Sequence, residues 1–242
     1  MSKKCVVAID GPAGAGKSTV ARRLAERLGF VLLDTGAIYR TVALAAKRAD
    51  VAWSDHDGVT AVAKGIAERD ELRFVPDPAA DASSRGLKVL LCGDDVSRAI
   101  REPDISMGAS TCSAIAGVRA ALLELQRKLG SASGVVAEGR DTTTVVFPDA
   151  DHKFFLIASS RERARRRAEQ LGEPERLDEI MAAMDARDHL DATRANSPLV
   201  QAPDAILIDT DGLDAERVLT TLLGYIVPGD APSDTRSDEG PA

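Results

Sequence analysis

Short apolar runs recur along this chain with polar, helix-like stretches between them. Residues 5–9 (Cys5-Val6-Val7-Ala8-Ile9), 31–33, 134–137, 153–158 and 205–208 are each rich enough in apolar residues to form a buried strand. Behind the first run, Val20, Leu24 and Leu28 return every four residues, the spacing of one helix face. Four of the five runs stop at an acidic residue: Asp10, Asp34, Glu138 and Asp209. Strands alternating with helices predict a parallel sheet covered on both faces. Ligands of such sheets sit outside the carboxyl ends of the strands, where these acids would stand. The expectation is an α/β fold around a five-stranded parallel sheet.

Residues 70–101 break this rhythm. Leu72-Arg73-Phe74-Val75 and Leu87-Lys88-Val89-Leu90-Leu91 read as strands, separated by a Pro/Ala/Asp/Ser segment and followed by the turn Gly93-Asp94-Asp95. They predict a small antiparallel insertion. From about Pro103 to Leu129 a helical pattern resumes, and residues 160–190 form a highly charged helical stretch interrupted near Gly172-Glu173-Pro174. Residues 228–242 shift to Pro, Gly, Asp and Ser and are expected to be disordered.

Composition narrows the class. The chain has 242 residues, 44% hydrophobic and 29% charged, enough for a real core in one large domain or two small ones. No run approaches the roughly 18 apolar residues needed to cross a bilayer, and the first residues lack an export pattern. Three cysteines (Cys5, Cys92, Cys112) without metal spacing are expected to be reduced packing residues in a cytoplasmic protein. The net charge of −7 argues against general affinity for nucleic acid or an anionic membrane. Any anion site must therefore be a local concentration of arginine.

Gly11-Pro12-Ala13-Gly14-Ala15-Gly16-Lys17-Ser18, followed by Thr19, meets the pattern G-x-x-x-x-G-K-[ST] at every fixed position. It lies between a strand and a helix, the setting the motif requires. Glycines let successive backbone N–H groups turn inward on phosphate, and the helix start adds partial positive charge. Lys17 would reach the outer phosphates, and Ser18 would offer its hydroxyl to Mg²⁺.

Further motifs follow the later strands: Asp34-Thr35-Gly36-Ala37-Ile38-Tyr39-Arg40, Glu138-Gly139-Arg140-Asp141, and Arg187-Asp188-His189-Leu190-Asp191-Ala192-Thr193-Arg194 leading into Pro198-Leu199. With the glycine loop, and with the inserted Gly93-Asp94-Asp95-Val96-Ser97 and Ile100-Arg101, their order and spacing resemble the bacterial cytidylate kinases, a P-loop nucleoside monophosphate kinase family. The resemblance covers roughly residues 4–226. It implies a three-layer P-loop NTPase fold over residues 1–227, an inserted nucleoside-monophosphate-binding subdomain at about 58–103, and a mobile lid at about 159–197. It also implies transfer of the γ-phosphoryl group of ATP to CMP or dCMP in pyrimidine metabolism, by a monomer. One departure stands out. The family usually continues Gly-Arg-Asp with any residue and then Gly-Thr, whereas this chain reads Thr142-Thr143-Thr144. Thr143 removes access to positive φ and adds a β-branched side chain.

By the same resemblance, Arg40, Arg140 and Arg194 would hold the acceptor phosphate, with Thr35 and Tyr39 beside them. Arg187 and Asp191 would hold the ribose, and Asp141, Ser110 and Arg119 would read cytosine. Arginine suits the clamp because its planar fork binds phosphate oxygens in pairs. Ser110 and Arg119 lie nine residues apart, near-opposite faces of an unbroken helix. Ser110 is therefore expected in a helix break or near a helix start. In the cluster Arg161-Glu162-Arg163-Ala164-Arg165-Arg166-Arg167, Arg163, Arg166 and Arg167 best match lid residues that close over ATP. A phosphate acceptor is already ionised and needs no strong base, which fits a chain whose only histidines are His56, His152 and His189. A regulatory GTPase is opposed by the lack of Asn-Lys-x-Asp, since the single asparagine is Asn196. A nucleic-acid-binding module is opposed by the charge and by 3% aromatic content.

Overall fold

The computed structural model describes residues 5–77, 87–130 and 134–227. The expected tail at 228–242 lies outside the described residues. Five parallel strands run in the order β2-β6-β1-β7-β8: β1 (Val6–Asp10), β2 (Val31–Asp34), β6 (Val135–Glu138), β7 (His152–Ile157) and β8 (Ile206–Asp209). The predicted strands match these within a residue or so at each end. Both faces are buried, so the strands read as continuous apolar runs rather than as alternations. Val7, Ile9, Val136, Phe154 and Leu156 pack with α1 (Lys17–Leu28) and α8 (Ala215–Ile226). On the other face, Leu33, Val135 and Ala137 pack with α2 (Thr35–Arg48), α3 (His56–Glu68), α4 (Pro103–Ala114) and α5 (Ala116–Leu129). The result is three layers.

The interruption after α3 is a separate antiparallel sheet, β3 (Leu72–Pro76), β4 (Leu87–Leu91) and β5 (Asp94–Asp95), in that order. It shares the core of the α2–α5 layer through Leu72, Val89 and Leu91. The charged stretch forms α6 (Ser160–Leu171) and α7 (Leu177–Thr193), with Gly172 in left-handed conformation ending α6.

The helix expected over 103–129 is two helices. Ile115 is extended (φ −78°, ψ 117°), and α4 and α5 meet there at 97°. Ile115 fills the core and Cys112, Val118 and Leu122 are buried on either side, so packing sets the corner at Ile115, two residues before Gly117. Among the described residues, no single helix is long and apolar enough to cross a membrane.

The sheet's register aligns the chemistry. Ile9 pairs with Glu138 across β1 and β6, and Asp34 pairs with Glu138 across β2 and β6. Asp10, Asp34 and Glu138 thus end three neighbouring strands, directly below the loop that leads into α1.

Candidate active site

The glycine loop can turn only because it lacks side chains. Gly11 has φ +144°, and a Cβ there would lie 2.0 Å from the Leu156 carbonyl oxygen. Gly14 has φ +77°, and a Cβ there would meet Met184 and Arg163 within 3 Å. Lys17 begins α1, is buried, and donates from Nζ to the Pro12 carbonyl at 2.6 Å. Burial pushes its ammonium well below the ordinary range and the nearby Arg140 adds to this, while Glu138, Asp10 and Asp188 oppose it. Ser18 donates from Oγ to Glu138 Oε2 at 2.7 Å. The Thr35 hydroxyl is buried and donates to the Glu138 carbonyl at 2.8 Å. Two hard oxygen donors therefore stand together at the loop's mouth, a set suited to a small divalent cation that keeps most of its shell as phosphate and water.

Beside this edge lies a cavity of about 100 Å³ whose walls include Tyr39, Arg119, Gln126, Asp141 and Ser197. Arg119 projects from α5, is 8% exposed, and spends its donors on three partners. Nη2 pairs with Asp141, Nη1 donates to the Ser113 carbonyl at 3.0 Å, and Nε donates to Ser197 Oγ at 3.0 Å. Its guanidinium also lies 5.4 Å from the Tyr39 ring centroid. Burial pushes the Asp141 carboxyl up, and Arg119 and Arg194 pull it back down. Carboxylate and guanidinium on one wall supply acceptor and donors side by side, the complement of a base edge carrying an amine, a ring nitrogen and a carbonyl.

Between cavity and glycine loop stand four arginines. Arg40 Nη2 is paired with Asp34 at 2.9 Å, and that carboxylate also caps α2 through the Ala37 N–H. Arg140 donates from Nε to Asp191 Oδ2 at 3.1 Å. Arg194 lies 3.7 Å from Asp141 and 3.8 Å from Asp191, and donates to Ser113 Oγ at 3.3 Å. Arg187 is pushed down to about 10, first by burial and then by Arg140. Its Nε is buried without a hydrogen-bond partner among the described residues. Arg40 also adds to the depression of Arg187, and Arg140 to that of Lys17, so these cations share one electrostatic neighbourhood. Concentrated positive charge held in partly buried positions is a binding site for an anion.

The α6–α7 pair closes the loop's other side. Arg163 donates to the Ala13 carbonyl at 3.1 Å and pairs with Asp188 and Asp185 of α7. The Ala13 N–H donates to Asp188 Oδ1 at 3.1 Å. Arg166 donates from Nη2 to the Thr210 carbonyl at 2.6 Å and pairs with Glu162. Arg167 turns to Gln170 on its own helix.

The family model described as cytidylate kinase matches residues 7–227. The chain belongs to the cytidylate kinase family. A protein named cytidylate kinase from Syntrophotalea carbinolica is 47% identical over 229 residues, covering 93% of this chain and 93% of that protein. One from Geobacter sp. strain M21 is 48% identical over 217 residues, covering 88% and 89%. One from Neisseria meningitidis serogroup B is 45% identical over 228 residues, covering 93% and 98%.

Most residues singled out from the resemblance to cytidylate kinases gather at this edge: Lys17, Ser18, Thr35, Tyr39, Arg40, Arg119, Arg140, Asp141, Arg187, Asp191, Arg194 and Arg163. Ser110 does not join the cavity wall and sits in no break. It lies within α4, its hydroxyl 3.3 Å from the Ser106 carbonyl of its own helix, because the corner falls five residues later at Ile115. The residue that the corner brings to Arg119 and Arg194 is Ser113. The concern over Thr143 also resolves differently. Thr143 is not among the residues with positive φ, and its hydroxyl is buried against Asp10. Sequence reasoning passed over Ser113, Ser197 and Asp188. Asp188 was visible inside the Arg187–Arg194 motif, and Ser113 only by placing the corner.

Proposed function

We propose that this chain transfers the γ-phosphoryl group of ATP to CMP and dCMP, giving CDP and dCDP. The observation that carries this reading is the Arg119–Asp141 pair on the wall of a cavity beside the glycine loop, in a chain of the cytidylate kinase family. ATP lies along Gly11–Thr19, its phosphates met by backbone N–H groups, and the acceptor lies in the cavity with its phosphate toward Arg40, Arg140 and Arg194. Asp141 accepts from the cytosine amine and Arg119 donates to the ring nitrogen and carbonyl. Tyr39 forms the cavity floor. Asp191 and Arg187 address the sugar.

In the transition state, negative charge spreads over the oxygens of the moving group, so catalysis consists of positioning and cationic stabilisation. Lys17 leaves the Pro12 carbonyl for the transferring phosphate. Arg140, closest of the acceptor-side arginines in its effect on Lys17, spans donor and acceptor. Arg163 exchanges its aspartates for ATP phosphate as residues 159–197 close as a lid, which keeps water from competing with CMP. Mg²⁺ bound with ATP supplies charge neutralisation, and Ser18 and Glu138 are the residues that would hold it. Residues 58–103 act as the acceptor-binding subdomain, and the protein works as a monomer.

The test is turnover with ATP and each nucleoside monophosphate in turn, followed by ADP release. CMP and dCMP should be the preferred acceptors. Strong turnover of AMP or UMP with none of CMP would overturn the reading.

A further inference from the structure

Asp10 is wholly buried at the end of β1, one residue before the glycine loop. Its carboxylate accepts three hydrogen bonds, all from the loop after Asp141. Oδ1 takes the Thr142 N–H at 2.9 Å, and Oδ2 takes both the Thr143 N–H at 2.6 Å and the Thr143 hydroxyl at 2.7 Å. Backbone and side chain of one residue thus grip one oxygen, which fixes the threonine's χ1 and the peptide planes immediately after Asp141. The segment that follows, Thr142–Val146, is a single π-helical turn closed onto the Asp141 carbonyl by the Val146 N–H. A turn of this kind has little intrinsic stability and depends on what anchors it.

We propose that the Thr143 hydroxyl is a positioning residue for acceptor recognition, acting through Asp10 to hold Asp141 against Arg119. The inference rests on the reading of the Tyr39–Arg119–Asp141 cavity as the cytosine site. Thr143 is 1% exposed, so water cannot replace its hydroxyl, and Asp10 Oδ2 would lose a bond to a charged acceptor. Asp10 and Asp141 also repel, Asp10 being among the charges that raise the Asp141 carboxyl. The hydroxyl's bond to Asp10 Oδ2 therefore helps hold the loop in place against that repulsion. Because the anchor hangs from β1, the acceptor loop is referenced directly to the strand that carries the glycine loop. Thr143 is not on the cavity wall, so its effect reaches the acceptor through Asp141.

The experiment compares wild type with Thr143→Val, which keeps the shape and removes the hydroxyl, Thr143→Ala, which avoids overpacking, and Thr143→Ser, which restores the hydroxyl. CMP binding is measured directly by calorimetry, and KM for CMP and for ATP by ADP release. Circular dichroism checks the fold. The expected result is a roughly tenfold weaker CMP affinity and higher KM for CMP in the Val and Ala variants, an ATP KM within about twofold of wild type, and recovery by Ser. Wild-type turnover with CMP tests the cytosine reading itself. If wild type turns CMP over but the Val and Ala variants bind CMP normally, lose CMP and ATP affinity equally, or are not rescued by Ser, the positioning role is wrong while the reading of the site stands.

Discussion

Arg119 and Asp141 form a buried ion pair, 8% and 4% exposed, with Arg194 as a second cation 3.7 Å from the same carboxylate. Replacing Arg119 with Ala leaves Asp141 buried without its principal partner and removes the guanidinium from the Tyr39 ring. Breaking a buried pair from one side costs about 3–5 kcal/mol, most of it the penalty of the stranded charge. For a domain of this size each kcal/mol moves Tm by about 2–4 °C, so Arg119→Ala should melt roughly 6–20 °C below wild type. Asp141→Asn strands the cations instead, setting Arg119 and Arg194 against each other without the carboxylate between them. In the double variant neither half of the pair is stranded. Its loss should therefore fall short of the sum of the single losses by about 2 kcal/mol, within the range measured for coupled neighbours. Thermal and urea unfolding by circular dichroism on the four proteins gives the cycle, and CMP turnover on the same samples gives the functional half. Additivity within about 0.5 kcal/mol would refute the idea that the two groups act as one unit. Repeating the turnover with AMP and UMP tests base reading, which a loss equal for every acceptor would refute.

Lys17→Ala should lower turnover by about two to three orders of magnitude with the fold intact, and near-normal activity would remove Lys17 from the reaction. Because burial and Arg140 hold the Lys17 ammonium low, ATP phosphates should raise it again. Calorimetry in buffers of different ionisation enthalpy, stepped through the alkaline range below the ordinary lysine value, should then show proton uptake on ATP binding, absent in Lys17→Met. Asp188→Asn removes the charge that competes with phosphate for the Ala13 N–H and Arg163. ATP should bind about fivefold tighter, roughly the worth of one hydrogen bond, and weaker binding would show that Asp188 holds Arg163 in its working place instead. The Asp141 carboxyl is raised in the folded state, so its contribution to stability is complete below its unfolded value and is lost as pH rises through the folded one. Wild type should show this loss over the acid range above about pH 4, and Asp141→Asn should not.

The sheet was legible because its strands are apolar runs, four of the five ending at an acid, and both signals have one cause. Strands buried on two faces need unbroken apolar residues, while their carboxyl ends open on an anion site where Asp10, Asp34 and Glu138 find amide, guanidinium and hydroxyl partners in turn. The glycine loop was legible because its requirement is steric, as the 2.0 Å approach of a Cβ at Gly11 to Leu156 shows. The corner between α4 and α5 was not. Ala114-Ile115-Ala116 carries no breaker, and only the packing of Ile115 decides that the helix stops. That corner is why Ser113, and not Ser110, meets Arg119 and Arg194. The role of Thr143 was not legible for a different reason. A residue type alone does not reveal whether its site needs positive φ, and here the hydroxyl finds Asp10 instead.

The 97° corner at Ile115 carries a consequence for engineering. It lets seven consecutive residues, Ser113 to Arg119, supply both a carbonyl and the guanidinium that grips it. One residue inserted between Ile115 and Arg119 would rotate the side chain by about 100° and swing it off the cavity wall, though every helix-forming tendency survived. Across this corner of seven residues, length itself is part of the recognition code.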